Sequence, residues 1–293
     1  MAGLQDIRRR IRSVKNTQQV TKAMKMISAV KLRKSQERLF ALRPYSGRLL
    51  EVVRRVVARF EAPASGAPLD TLAQAFVAPR EERRCRLVLV ASDKGLCGGF
   101  NANALKTAQA FLKDSRSELA ALDAVGKRAV DWARRSGLKA STEHLAVALP
   151  ALPEVARGLA RQAMDQYLAG EIDALYVVYN AFHSPVSQVP TIKRIFPVEA
   201  ERRAEASAEE IPHLLEPDPQ TVLAELFPRF VEMEVLRCLL ESAASEHGAR
   251  MASMDKATNN AAEMIDTLTL NMNKARQAAI TNQIIEVVSG ANA

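Results

Sequence analysis

Apolar residues near the N-terminus recur at alternating intervals of three and four, the pattern of helices that pack side by side. Between Gly3 and Pro44 there is no Gly or Pro, so a single long helix is predicted there. Its apolar seam begins with Leu4, Ile7, Ile11 and Val14. It is predicted to resume, with its register moved by about one residue, at Val20, Met24 and Ile27. Because polar Gln18, Thr21 and Lys25 stand where a zipper would place aliphatic residues, this helix should need a partner that tolerates polar groups.

A second long helix is predicted at the other end of the chain. Asp218 followed by Pro219 is a helix-start signal, since a proline at the first helical position loses no hydrogen bond. Pro228 should kink this helix early, and Gly248 is the next breaker. Its seam is rich in small residues and consists of Met254, Ala257, Ala261, Met264, Leu268, Met272, Ala275 and Ala279. The simplest arrangement pairs the two terminal helices antiparallel, as a coiled-coil shaft.

The middle of the chain alternates short apolar runs with helical stretches. The predicted strands are Arg86–Ala91, Leu119–Val125, Leu138–Glu143, Asp173–Phe182 and Ser187–Phe196. The predicted helices between them are Asn101–Lys113, Lys127–Arg135 and Pro153–Ala169. This alternation predicts an α/β fold, a Rossmann-like three-layer domain with a mainly parallel sheet, inserted between the two shaft helices. Pro190 cannot donate to a ladder, so the last strand is predicted to lie at an edge.

Two segments have the composition of connections. Residues 61–79 are rich in Pro, Ala and small residues, and residues 199–216 are charged and weakly patterned, which is typical of a mobile connection. The chain is therefore predicted to divide into an N-terminal shaft helix at 1–60, a linker and α/β domain with its mobile connection at 61–217, and a C-terminal shaft helix at 218–293.

Charge is distributed unevenly along the chain. The net charge is +8, but residues 1–60 contain 16 Lys and Arg against 3 Asp and Glu. An acidic partner is therefore expected for this segment: nucleic acid, lipid headgroups or an acidic protein cavity. The 5% aromatic content disfavours a stacking platform for nucleic acid, and no stretch has the roughly 18 apolar residues of a membrane span. Three cysteines without a CxxC pair indicate neither a disulfide framework nor a zinc site, and fit a reducing cytoplasmic setting.

The segment Ser92–Asn101, SDKGLCGGFN, follows a strand and precedes a helix, where α/β proteins often bind phosphate. Its glycines at 95, 98 and 99 fit neither nucleotide-binding fingerprint, which favours a tight structural turn. Cys97 has no histidine at a suggestive spacing, so a packed thiol is favoured over a nucleophile. No catalytic residue, metal site or cofactor is predicted.

With these elements placed, the sequence closely resembles the gamma subunit family of rotary ATP synthases, over essentially its whole length. The resemblance is carried by residues 7–36, 92–101, 245–265 and 275–293. The family's C-terminal signature is matched by Ile280, Thr281, Glu286, Gly290 and Ala291. Gln283 stands where the family usually has Glu, which removes one charge near the end of the shaft.

The resemblance implies a non-catalytic rotor subunit that binds no cofactor. The two terminal helices would turn inside a ring of alternating alpha and beta subunits, with nucleotide chemistry on beta. The α/β domain would contact the epsilon subunit and the c-ring of the membrane sector, at the cytoplasmic face of the cell membrane. The acidic surfaces of the ring would then be the partner of the basic segment. A basic coiled-coil protein that binds nucleic acid and a nucleotide-binding α/β enzyme are the alternatives.

The resemblance also implies site residues. Arg276, Gln277 and Thr281 match the positions that engage a loop of the beta subunit. Met24 is expected to affect coupling on a different ground, because it lies in the middle of the N-terminal shaft helix amid the departures from heptad spacing. The epsilon and rotor-ring contacts are expected around Leu215, Glu216, Pro217 and Asp218.

Overall fold

A computed structural model describes residues 4–60, 81–115, 117–198, 216 and 218–291. Its helices are α1 (Leu4–Phe60), α2 (Phe100–Asp114), α3 (Lys127–Arg135), α4 (Leu152–Leu168) and α5 (Pro219–Ala291). Its strands are β1 (Arg84–Val90), β2 (Glu118–Val125), β3 (Thr142–His144), β4 (Ala174–Phe182) and β5 (Gln188–Phe196). The chain forms two compact units, one of Met1–Val30 with Arg250–Ala293 and one of Lys31–Ala249. The long helices α1 and α5 each contribute to both.

In the first unit α1 and α5 pair antiparallel. The hydroxyl of Thr258 donates to that of Thr21 at 2.8 Å, and Lys25 Nζ lies 2.6 Å from Asp255 Oδ1. In both contacts the two residue numbers add to about 280, so the helices run in opposite directions. The antiparallel helix pair predicted from the sequence is confirmed.

The predicted register shift in α1 is wrong. Val20 and Ile27 are each 58% exposed, whereas Thr21 and Ser28 are buried. The alternation of three and four continues unbroken from Ile11 and Val14 to positions 18, 21, 25 and 28, which carry polar residues. Small hydroxyl side chains therefore fill the seam, and the aliphatic residues beside them face outward.

The second unit is built on a five-stranded sheet with the order β3-β2-β1-β4-β5. All neighbours are parallel except β4 and β5, which are antiparallel and place β5 at an edge, as predicted. Leu87, Leu89 and Leu122 form an apolar core with α2 and α3 on one face. On β1, Arg86 has the opposite orientation, toward α4, because side chains alternate along a strand.

The third predicted strand begins too early. Leu138 is not in a strand: its N-H donates to the carbonyl of Ala133, which closes the end of α3, and its side chain packs on the core. The strand β3 begins at Thr142. Leu138 is thus an apolar residue that covers the end of a helix, and its local pattern is the same as that of the start of a strand.

The start of α5 is as predicted. Asp218 accepts hydrogen bonds from the backbone N-H of Thr221 at 2.9 Å and from its hydroxyl at 2.7 Å, and Pro219 is the first helical residue. The helix runs unbroken through Pro228. The predicted connections at 61–79 and 199–215, with Leu215 and Pro217, lie outside the described residues. The predicted divisions at 60 and 218 adjoin the ends of α1 and α5 and stay predictions as domain boundaries.

Candidate partner-binding surface

The turn after β1 is closed by its own side chains. The side-chain oxygen of Asn101 accepts the backbone N-H of Ser92 at 3.0 Å, and its amide donates to the sulfur of Cys97 at 3.2 Å. Leu96 and Gly98 both have positive φ, at 62° and 57°, which the tight path of the chain requires. This geometry agrees with the structural turn favoured from the sequence, and Cys97 is a buried thiol.

The adjoining ends of β2 and β3 are tied to the same turn. Asp93 accepts the backbone N-H groups of Lys127, at 2.9 Å, and of Ala146, at 3.1 Å. The Asp93 carboxylate therefore accepts a backbone N-H group at the start of α3 that could otherwise bind an anion. Gly126, with φ of +90°, lets the chain pass close to the carbonyl of Ala91, since an added Cβ would lie 2.1 Å from that oxygen.

Helix α5 covers the crevice where open α/β sheets bind ligands, between the carboxyl ends of β1 and β4. Ala249 packs with Cys97 and Phe100 in a small apolar cluster. Gly248 lies so close to the β4–β5 turn that an added Cβ would be 3.1 Å from the carbonyl oxygen of Pro185. The residues that line the crevice thus pack against α5.

The outer face of the helix pair carries large apolar side chains. On α1 the exposed ones are Val20, Met26, Ile27 and Val30, and on α5 they include Met264 and Leu270. The seam between the helices contains hydroxyl groups and the ion pair of Lys25 with Asp255. The seam is polar only in part, since Met254 and Ala261 of α5 are also buried. The large apolar side chains left exposed outside it are typical of a rod that other proteins surround.

The predicted beta-contact residues lie together on the last part of α5. Arg276, Gln277 and Thr281 are all exposed, and the Thr281 hydroxyl donates to the carbonyl of Gln277 at 3.0 Å. Further along the helix the exposed apolar residues are Ile280, Ile284, Ile285 and Val287. By the pairing register, α1 at Leu4 faces about position 276, so these residues extend past the described start of α1.

The other predicted site residues are not brought together with this group. Met24 is half-buried beside Lys25, which pairs with Asp255. Met24 therefore lies opposite about position 256 of α5, roughly 20 residues before Arg276. Glu216 is exposed, and Asp218 is half-buried as the cap of α5 in the second unit.

Sequence reasoning missed a buried ionic cluster between α5 and the sheet, in which Glu234 contacts Lys193 and Arg237. A signal was present: Glu234 and Glu241 are seven residues apart in the apolar segment VEMEVLRCLLES, so they share one helix face. The basic partner Lys193 is 41 residues away in sequence, and the spacing could not identify it.

Fold and surface together define a class of protein: an antiparallel helix pair with an inserted Rossmann-like domain, whose exposed apolar side chains suit it to contact partners. The family model described as ATP synthase matches residues 3–293. The ATP synthase gamma chain of Solibacter usitatus is 48% identical over all of this chain and 99% of its own length, and that of Moorella thermoacetica is 44% identical with the same coverage. The chain belongs to the ATP synthase gamma chain family.

Solved structures share the fold. A chain of the Euglena gracilis mitochondrial ATP synthase rotor aligns with a TM-score of 0.60 and 19% identity, covering 94% of this chain and 98% of that one. A chain from the central stalk and c-ring of the Tetrahymena thermophila mitochondrial enzyme aligns with a TM-score of 0.57 and 24% identity, covering 81% and 99%. As a gamma chain, this protein is a non-catalytic central-stalk subunit, and the comparisons give no support to the nucleic-acid alternative.

Proposed function

We propose that the paired α1 and α5 helices turn inside a ring of alpha and beta subunits and couple ion passage through the membrane sector to ATP synthesis or hydrolysis on beta. The observation that carries this is the set of large apolar side chains that the helix pair leaves exposed. Thr21 and Ser28 are in the seam, while Val20 and Ile27 are 58% exposed. Apolar side chains that the helices themselves leave uncovered are expected to be covered by partners.

Charge supports the same partners. The exposed cations at the start of α1 are Arg8, Arg9, Arg10, Arg12 and Lys15. In this proposal they face acidic surfaces of the alpha and beta subunits, which would guide the chain into the ring.

The firmest contact with beta is proposed at Arg276, Gln277 and Thr281. Gln277 and Thr281 are four residues apart and share one helix face, with Arg276 beside them. The hydroxyl of Thr281 already donates to its own helix, so it would accept a hydrogen bond from the beta loop. Arg276 would supply the charged donor.

The epsilon subunit and the c-ring are proposed to contact the region around Glu216 and Asp218. Glu216 is exposed and available to a partner. Both oxygens of the Asp218 carboxylate bind Thr221, so its contribution would be to fix where α5 begins.

The complex is proposed to lie at the cytoplasmic face of the cell membrane, with this chain held there through its partners. Among the described residues, no helix combines the length and apolar character that crossing a bilayer requires.

Isolation of a tagged copy of the chain from native membranes tests the proposal. We expect the alpha, beta and epsilon subunits to co-purify, and the isolated complex to hydrolyse ATP and to pump ions once in vesicles. Nuclease treatment is the control, because it would release the nucleic-acid-dependent partners of a basic protein. Recovery of the chain without alpha and beta subunits would contradict the proposal.

A further inference from the structure

A buried ionic cluster joins α5 to the sheet. The carboxylate of Glu234, which is 2% exposed, contacts the ammonium of Lys193 on β5 through Oε2. The same oxygen accepts a hydrogen bond from Arg237 Nη2 at 3.0 Å. One buried carboxylate is therefore held by a cation from the sheet and by a cation from its own helix.

A second carboxylate extends the cluster to α1. Glu241 lies one heptad further along α5, and its Oε1 is 3.6 Å from Arg43 Nη2 on α1 and 3.8 Å from Arg237 Nη1. The same Arg43 nitrogen donates to the carbonyl of Phe182, at the end of β4, at 3.1 Å. Both long helices and both antiparallel strands of the sheet are thus linked through five charged side chains and one backbone carbonyl.

Stability alone does not account for these charges. Burial, with the charge of Glu241, raises the pKa of Glu234 to about 7, while Arg54 acts in the opposite direction. The neighbouring Cys238 is fully buried, so little water reaches this interface, and burial raises the pKa of its thiol. Replacing a buried ion pair by apolar residues often costs a protein no stability. Charged groups differ from apolar ones because their hydrogen bonds require a defined geometry, whereas hydrophobic contact is non-directional. They therefore fix the relative position of the elements that they join.

We propose that this cluster of Lys193, Glu234, Arg237, Glu241 and Arg43 is the joint through which turning force passes between the sheet and the two long helices. The proposal rests on the rotor function argued above. Lys193 and Glu234 are its positioning residues, because they act by fixing α5 on β5 against sideways slip.

The test uses the assembled ATP synthase in inverted vesicles, with ion pumping measured per ATP hydrolysed. The main variant combines Lys193→Met with Glu234→Leu, which removes the buried pair and leaves Arg237 facing Glu241. We expect pumping per ATP to fall by about twofold or more, because α5 then loses the buried ion pair that fixes it on β5.

Two controls separate force transmission from packing. Arg157→Met breaks the exposed contact of Arg157 Nε with Glu232 Oε1, at 3.3 Å, between α4 and α5, and should leave pumping per ATP at the wild-type value. Val235→Ala opens a cavity at a fully buried position next to Glu234, and should lower thermal stability without lowering pumping per ATP.

The outcomes discriminate. Wild-type pumping per ATP in the double variant would overturn the proposal. An equal loss of pumping per ATP in Val235→Ala would overturn it as well, because packing alone would then explain the effect. If the double variant does not assemble, Glu234→Gln is measured instead, with a smaller loss in the same direction expected and wild-type coupling again overturning the proposal. A wild-type complex that hydrolyses ATP without pumping would instead contradict the rotor function itself.

Discussion

Gly248 allows α5 to lie against the β4–β5 turn, and Gly248→Ala tests how tightly it does so. An added Cβ would lie 3.1 Å from the carbonyl oxygen of Pro185 and 3.2 Å from its Cα. The turn cannot give way freely, because Gln188 Nε2 donates to that carbonyl at 2.8 Å. Crowding of this kind costs about 1–3 kcal/mol. Alanine in a helix interior gains about 1 kcal/mol over glycine, so the net loss is expected to be about 0–2 kcal/mol.

A matched substitution isolates the crowding. Gly158, inside α4, has open space where its Cβ would be, so Gly158→Ala should have the helix gain alone. Hydrogen–deuterium exchange of both variants in the assembled complex reports local opening, and each 1.4 kcal/mol changes the exchange rate about tenfold. Exchange in α4 should slow by about fivefold in Gly158→Ala, and exchange around position 248 should quicken or stay unchanged in Gly248→Ala. Equal slowing at both sites would refute the close docking of α5 on the turn.

Four further predictions follow from other regions. If Arg276 forms a desolvated contact with beta, Arg276→Ala should lower the ATPase rate of the complex by about tenfold or more, at about 1.4 kcal/mol per decade. Wild-type turnover from an intact complex would show that the main contact with beta lies elsewhere. Met24→Lys adds a cation that can pair with beta carboxylates at about 1–3 kcal/mol, so pumping should fall more than hydrolysis, and equal losses would contradict this. Asp123 accepts two hydrogen bonds from the buried Arg86, at 2.7 and 2.8 Å, and Asp123→Asn removes the charge of this pair. Hydrogen exchange in β1 and β2 should show a loss of about 3–5 kcal/mol of local stability. A loss under about 1 kcal/mol would show that the pair is dispensable. Calorimetric titration of the folded chain with Mg-ATP should show no tight binding, since α5 covers the crevice at Ala249, and micromolar affinity would disprove this.

The sheet could be predicted from local pattern because each strand is marked by its own residues. Continuous apolar runs gave β1 and β4 to within two residues, and Pro190 indicated the edge position of β5. Asp218 and Pro219 likewise marked the start of α5, since a cap is a local chemical requirement.

The register of the helix pair could not be predicted by the same logic. Hydrophobic periodicity assigns aliphatic residues such as Val20 and Ile27 to the seam, on the assumption that the chain buries them itself. In this protein they are exposed, and Thr21 and Ser28 are buried in their place. Apolar residues mark the buried face of a helix only when no partner covers the other face. The pairing of Glu234 with Lys193 escaped prediction for a different reason, since it depends on the complete fold.

The end of α5 has a thermodynamic consequence. From about position 277 onward the helix has no described stretch of α1 opposite it, and Ile280, Ile284 and Ile285 are exposed. An isolated helix of about 15 residues is only marginally stable in water, so tertiary contacts normally supply its order. In the proposed complex the alpha and beta subunits would supply those contacts, so the folding of this segment and its capture by the ring would form a single equilibrium. The helicity of these residues would then report whether the ring has bound them, and a spectroscopic label at Gln283 would follow assembly of the complex.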